Sequence, residues 1–300
     1  AVVTGAQLAE RHEPWVGVLK HLQGIVSPPQ YAMAVEKACW QGEAVVAILA
    51  KTRAEGEDAA ESVQIRWQEL PVVADAKTAL DPDTPVIHDS LENNLCWERN
   101  FAAGDVDQAF ETAAVVVEET FDIGRHTGVT VEPRSIVADY QPGEGKLTVY
   151  QSTQAPHMMQ NVFAKHLGMN EGDVRVVTKD VGGSFGIKVH VYADEFAAVA
   201  LSKMFQRPVK FIADRLESFV TDIHARDHLV KARMGVSKDG KIQALEFDDL
   251  TGIGPYSMYP RTSGIEANQI VNLTGGAYRI ENYKAATKVV FQNKNVMCQY

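Results

Sequence analysis

The chain of 300 residues carries 29 Lys and Arg against 39 Asp and Glu, a formal charge of −10, with 45% hydrophobic and 23% charged residues. A chain of that length and composition buries a real core and divides into about two domains, and its negative field excludes a general binder of nucleic acid or of anionic membrane. No apolar run reaches the roughly 18–20 residues of a membrane span, and the opening "AVVTGAQLAE" lacks the basic and apolar regions of a signal peptide, so a soluble, cytoplasmic protein is expected.

The chain starts without Met on an apolar run that reads as a strand already under way. It stops in a β-rich stretch, "KVVFQNKNVMCQY", with no closing turn, and both ends together read as those of a fragment. From Gly42, "GEAVVAILA" is a strand, "EGEDAAESV" from Glu55 to Val63 has helical composition, and "VQIRWQELPVV" from Val63 to Val73 alternates like a half-buried strand. The Pro-, Asp- and Asn-rich run from Asp81 to Asn94 is a surface linker, and the boundary falls between residues 80 and 103.

A second block opens where Asp105 caps a short helix in "GDVDQAFETA". "AAVVVEETFDI" is a strand, and "SIVADYQPGEGKLTVYQST" is two strands about a Pro-Gly turn. "APHMMQNVFAKHLG" is a helix with Gly168 at its C-cap, and "VRVVTKD" is the next strand. "ADEFAAVALSKM" places Phe196, Val199, Ala200 and Met204 on one helical face, and "PVKFIAD" returns as a strand. "HLVKARMGVSKDGKIQALEFDD" is a hairpin turning at "SKDG". The fold class is therefore α+β or mixed α/β, with no internal repeat.

Chemistry concentrates in the loop Gly182, Gly183, Ser184, Phe185, Gly186, Ile187, Lys188, between a strand and a helix, where converging N–H groups bind an anion or an oxo group. A tight structural turn explains the glycines about equally well. It is not a P-loop, which needs Gly where Ile187 stands and Ser or Thr where Val189 stands, and no dinucleotide fingerprint is present. His224 and His228 lie four apart, a metal spacing on a helix, but their flanks read as a loop entering a strand, so no metal ligand is assigned. His126 and His157 are read as structural histidines in preference to the alternative that they line a cleft. Glu132 to Arg134, "EPR", reads as an ion-paired turn tying two segments. Cys39, Cys96 and Cys298 are far apart and read as reduced, buried thiols.

Six stretches in order resemble the molybdopterin-binding large subunit of the molybdenum hydroxylases, the family of xanthine dehydrogenase, aldehyde oxidoreductase and aerobic carbon monoxide dehydrogenase. They are "WQGEAVVAILA" (40–50), "GDVDQAF" (104–110), "GRHTGVTVEPRS" (124–135), "QSTQAP" (151–156), "VGGSFGIK" (181–188) and "DRLESF" (214–219). The resemblance implies that residues 1–80 are an N-terminally incomplete α/β hammerhead domain. Residues 81–103 would be a linker, and 104–300 a C-terminally incomplete first molybdopterin-binding domain with mixed sheets and packed helices.

It further implies that Gln154 donates to an oxo ligand of molybdenum and that Gly183, Ser184, Phe185 and Gly186 bind the cofactor through their backbone, glycine being needed where the metal-oxo group or pterin approaches. Val189 and Arg261 would face the substrate, and no residue would ligate the metal directly. The implied cofactor is molybdenum-molybdopterin, with a cytosine dinucleotide as one form. Iron–sulfur clusters and FAD would sit on partner subunits of a hetero-oligomer, beside the remainder of the large subunit.

The implied reaction is hydroxylation of an aldehyde, an N-heterocycle or a related small substrate with oxygen from water, or oxidation of CO. Its glutamate base would lie downstream, so the fragment alone would be inactive. Purine-oxidising relatives carry a glutamate at the position of Val189, which counts against a purine, and Cys298 precedes the position of the carbon monoxide enzymes' cysteine. The competing reading is a non-catalytic α/β scaffold, or a split-gene assembly subunit of such a complex.

Overall fold

Three sheets organise the chain, and the computed structural model describes all of residues 1–300. Near the N-terminus β1 (Val2–Thr4) runs into α1 (Gly5–Ala9) and pairs antiparallel with β2 (Val46–Ile48), which leads to α2 (Arg53–Glu61). Both helices start on capping boxes, Thr4 with Gln7 and Thr52 with Glu55, so two otherwise orphan N–H groups are satisfied at each start.

Next come β3 (Leu95–Ala103), α3 (Val106–Thr112), β4 (Val115–Ile123), β5 (Ser135–Gln141), β6 (Lys146–Gln151), α4 (Pro156–His166) and β7 (Val174–Val177). They are followed by α5 (Ala193–Phe205), β8 (Val209–Ile212), α6 (Arg215–Thr221), β9 (His228–Val236), β10 (Ile242–Ile253), α7 (Gly264–Leu273) and β11 (Asn282–Phe291). Five strands form a sheet in the order β3-β11-β10-β9-β4, with β10 and β11 parallel and the rest antiparallel. Four more form the order β7-β6-β5-β8, with β6 and β7 parallel. The class is mixed α/β, with mixed sheets and packed helices. No helix is long and apolar enough to cross a membrane.

One core lies where α5 packs on β5 and β8 and α4 packs on β7, and it unites Phe163, Phe196, Val199 and Leu147 with Leu8, Trp15 and Met33 from the N-terminal stretch. A second unites Trp97, Ile253, Val289 and Phe291 with Leu22, Cys39 and Val73. The first 80 residues therefore contribute to both cores. Each such aliphatic or aromatic side chain contributes about 1.5–3 kcal/mol on burial.

Two local expectations are corrected. Val63 to Val73 forms no strand: Ile65, Trp67, Leu70 and Val72 are all exposed and no neighbouring strand pairs with them, so the alternation has no sheet to enter. Residues 95–103, expected to close the linker, form β3, an edge strand whose backbone is paired along β11. The hairpin turn at "SKDG" is present, with Gly240 at φ +83°, and Asp105 caps α3 by accepting from the Gln108 N–H at 3.1 Å. Gly168, at φ +62°, terminates α4.

Candidate functional site

The glycine loop spans the gap between β7 and α5 and faces the turn that joins β6 to α4. Gln154 lies in that turn. Its backbone N–H donates to the Lys188 carbonyl at 3.0 Å, and the Thr153 hydroxyl donates to the same oxygen at 2.9 Å, so turn and loop are fastened together. The Ser184 hydroxyl donates to the Gln154 side-chain oxygen. That bond fixes which way the carboxamide points and leaves its Nε2 donors without a partner in the protein. The loop and Gln154 thus share one face, as the sequence reading requires.

No N–H of Gly183, Ser184, Phe185 or Gly186 donates to any acceptor in the protein, whereas the Ile187 N–H closes a turn on the Ser184 carbonyl at 2.8 Å. These residues lie in a partly exposed loop, so their N–H groups are open to solvent or to a ligand. Phe185 holds φ +51° with its side chain 69% exposed, a strained and solvent-facing placement for a large apolar residue. These donors and the free carboxamide match the chemistry of an anionic oxo group and its pterin, which accept hydrogen bonds and present flat apolar surface.

The glycines have a second explanation, and two of them depart from the expected one. A Cβ on Gly186, at φ +90°, would lie 2.5 Å from the carbonyl carbon of Tyr300, and one on Gly182 would lie 2.6 Å from the Glu132 Cβ. Those two glycines make room for the protein's own chain rather than for a ligand. Gly183, at φ +100°, meets only the Phe185 ring and a methine of Thr130 and keeps its backbone open.

A clamp behind the loop sets its shape. The Glu132 carboxylate accepts from the Gly182 N–H at 2.7 Å, from Lys188 Nζ at 2.7 Å and from the Ser152 hydroxyl at 2.8 Å. Burial pushes the Glu132 carboxyl up, but the bonds from Lys188, Ser152 and Gly182 outweigh it and hold it below the usual carboxylate range. Beneath the clamp, the buried Arg134 guanidinium makes a bidentate pair with Asp194 at 2.7 and 2.8 Å and a bond to Asp222 at 2.6 Å, with its plane on the Tyr192 ring. The "EPR" turn is therefore ion-paired through both of its charges.

Gln154, Gly186, Val189 and Arg261 line one cavity of about 330 Å³. Arg226, Gln269, Gln299 and Tyr300 complete its wall and were not singled out by the sequence. They arrive from the segment before β9, from α7 and from the stretch after β11, and no local motif marks them. Gly183, Ser184 and Phe185 are not among the lining residues, and they join the site through the Ser184–Gln154 bond.

His228 is a structural histidine. His228 Nδ1 lies 2.8 Å from an Asp249 oxygen, and its Nε2 faces Glu266, which in turn pairs with Arg226. No group of His, Cys, Asp and Glu has the arrangement of a metal site. Burial pushes the His228 imidazole down, but Asp249 and Glu266 outweigh it and raise it to about 9. Because the folded value lies above the unfolded one, this stabilisation is complete below pH ~6.5 and is lost as the pH rises through about 9. His228→Gln is expected to cost about 2–3 kcal/mol at pH 7 and almost nothing through this charge at pH 10, read as the difference in unfolding free energy from wild type.

His126 pairs with Ala225 through its backbone and rests edge-on against Tyr300, outside the cavity lining. His157 is also outside that lining. All three cysteines are free and buried, and burial pushes the Cys96 and Cys298 thiols far up, so neither is a nucleophile.

Comparison with known proteins gives the chain a family. The family described as molybdopterin cofactor-binding domain matches residues 87–300. The carbon monoxide dehydrogenase large chain of Hydrogenophaga pseudoflava is 31% identical over 87% of this chain and 34% of its own length. The nicotine 6-hydroxylase large subunit of Paenarthrobacter nicotinovorans is 32% identical over 81% of this chain and 30% of its own. Quinoline 2-oxidoreductase from Pseudomonas putida 86 superposes over 100% of this chain and 38% of that one, at 29% identity and a TM-score of 0.94. The chain thus spans about a third of the length of the curated relatives it matches. With its fold and its match over residues 87–300 in agreement, the chain belongs to the molybdopterin cofactor-binding domain family of the molybdenum hydroxylases.

Proposed function

We propose that this chain supplies one wall of the molybdenum-molybdopterin pocket in the large subunit of an oxidoreductase. That enzyme hydroxylates a small aldehyde or N-heterocycle with oxygen from water, or oxidises CO. The observation that carries the reading is the run of unmatched N–H groups from Gly183 to Gly186 beside the free carboxamide of Gln154. When bound, the group supplies the two-electron redox chemistry, and its dithiolene supplies the metal's sulfur ligands.

The chain's own residues orient the group. Gln154 Nε2 would donate to an oxygen of the cofactor, the 183–186 N–H groups would hold its anionic atoms, and the exposed Phe185 ring would offer it an apolar surface. Val189 and Arg261 line the same cavity, and this reading assigns them to the substrate. Val189 places an apolar side chain where purine-oxidising relatives carry a carboxylate, which supports a non-purine substrate. The relatives named for nicotine and quinoline support an N-heterocycle, and the one named for carbon monoxide supports CO.

In this reading residues 1–80 belong to a hammerhead-like part, with the boundary inside 81–103, which the start of the family match at residue 87 supports. The general base comes from the remainder of the large subunit. Iron–sulfur and FAD subunits carry the electrons away, and the assembly is cytoplasmic.

The test is elemental and pterin analysis of the full-length subunit purified with its neighbours, expected to give one molybdenum and one pterin per chain. A pure scaffold carries neither. Gln154→Ala is expected to lower kcat by about 100-fold, the effect of losing one preorganised donor, with unfolding midpoint and molybdenum content unchanged. Normal turnover at full molybdenum loading would remove Gln154 from this role.

A further inference from the structure

The cavity is cationic in a protein whose net charge is −10. Arg261 is half-buried on its wall and makes no hydrogen bond or ion pair with any residue of the chain. No Asp or Glu lines the cavity. The other cation, Arg226, is neutralised from behind by Glu266, so Arg261 is the unmatched charge. Gln299, only 8% exposed, also lines the cavity, and its Nε2 is a buried donor without a partner, while its Oε1 accepts from the Cys298 thiol at 2.8 Å. Burial, and then the charge of Arg261, lower His190 to about 4, so that imidazole is neutral and adds no further cation.

We propose that the cavity selects a substrate bearing a carboxylate, which Arg261 pairs with and Gln299 Nε2 donates to, while the reacting carbon is presented toward Gln154. This rests on the reading of the cavity as the substrate side of a cofactor pocket. A guanidinium offers two parallel N–H groups that match a carboxylate, and such charge-assisted bonds are about twice as strong as neutral ones. The anion also removes the cost of holding an uncompensated charge in a partly desolvated wall.

The experiment measures calorimetric binding of benzoate and of its neutral isostere benzamide to the full-length subunit in its complex, with and without Arg261→Met. Benzoate is expected to bind roughly 10- to 100-fold more tightly than benzamide, and the variant to abolish that preference while leaving benzamide affinity and molybdenum content unchanged. Equal affinities for the two probes in the wild type overturn the proposal without any use of the variant. A variant that keeps the benzoate preference but loses molybdenum and pterin overturns it too, and assigns the guanidinium to a phosphate of the cofactor. Because the binding comparison needs no turnover, a complex that prefers benzoate yet carries no molybdenum would sink the cofactor reading and leave the anion site standing.

Discussion

Arg134→Met is expected to destabilise the chain by about 3–5 kcal/mol, a large part of the roughly 5–15 kcal/mol that holds a domain together. The guanidinium is fully buried and matches Asp194 and Asp222, with Glu195 at 3.8 Å. Methionine fills much of the volume but leaves these carboxyls facing one another without a cation. Burial already pushes Glu195 up to about 7 against the pull of Arg134. Without it, the buried Asp222 carboxyl, already pushed up by burial, must take up a proton or draw in water. Denaturant unfolding of the full-length chain checks this. Asp222→Asn alone should cost less, because it removes a charge and leaves the guanidinium paired with Asp194. A variant as stable as wild type would show that the network contributes nothing.

Glu132→Ala is expected to damage the site more than the fold. Its carboxylate is the one oxygen cluster that Gly182, Lys188 and Ser152 share. Removing it strands the ammonium of Lys188, whose side chain is 0% exposed, at a cost of about 3 kcal/mol. It also frees the start of the glycine loop. The loop then no longer presents its N–H row in one geometry, and the expected result is loss of most molybdenum from the purified complex, with about 100-fold lower activity per chain. Acid acts in the same direction. Because the folded Glu132 carboxyl sits below its unfolded value, the clamp is complete above about pH 4.5 and fails as the pH falls through the folded value. Full molybdenum retention in Glu132→Ala at neutral pH would show that the loop holds its shape unaided.

Much of the fold was legible because its signals are local. The Asp105 cap, the Gly168 terminus of α4, the "SKDG" turn and the apolar face of α5 each depend on residues within a few positions of one another. The stretch from Val63 to Val73 shows the limit of periodicity. Alternation says that a segment fits a pleated surface, not that a partner strand exists. Residues 95–103 fail in the opposite sense, because "LCWERNFAA" has weak alternation yet gains its backbone partners from β11, nearly 200 residues further on. Long-range pairing outweighs propensity there.

The site divides along the same line. Gln154 and the glycine loop lay in stretches that carried the resemblance, Val189 and Arg261 were implied by it, and the structure brings Gln154, Gly186, Val189 and Arg261 to one cavity. Arg226, Gln299 and Tyr300 reach it only because β9 to β11 fold back over the loop, and nothing near them in the sequence says so. The steric demand on Gly186 comes from Tyr300, a residue 114 positions away in the numbering. No local reading of a glycine-rich loop reveals a neighbour so distant.

The two cores described above also set how the molecule must assemble. Trp15, Leu8 and Met33 seal the helices α4 and α5, and Val73 meets Asn293 across 220 positions through bonds in both directions at 2.7 and 2.8 Å. Closing loops of that length precedes the contacts that reward it, so this is a slowly folding topology. A piece cut to the boundaries of the family match, 87–300, would emerge with Phe163 and Phe196 uncovered and prone to aggregate. The stretch that kinship outlines is smaller than the stretch that cooperates in folding.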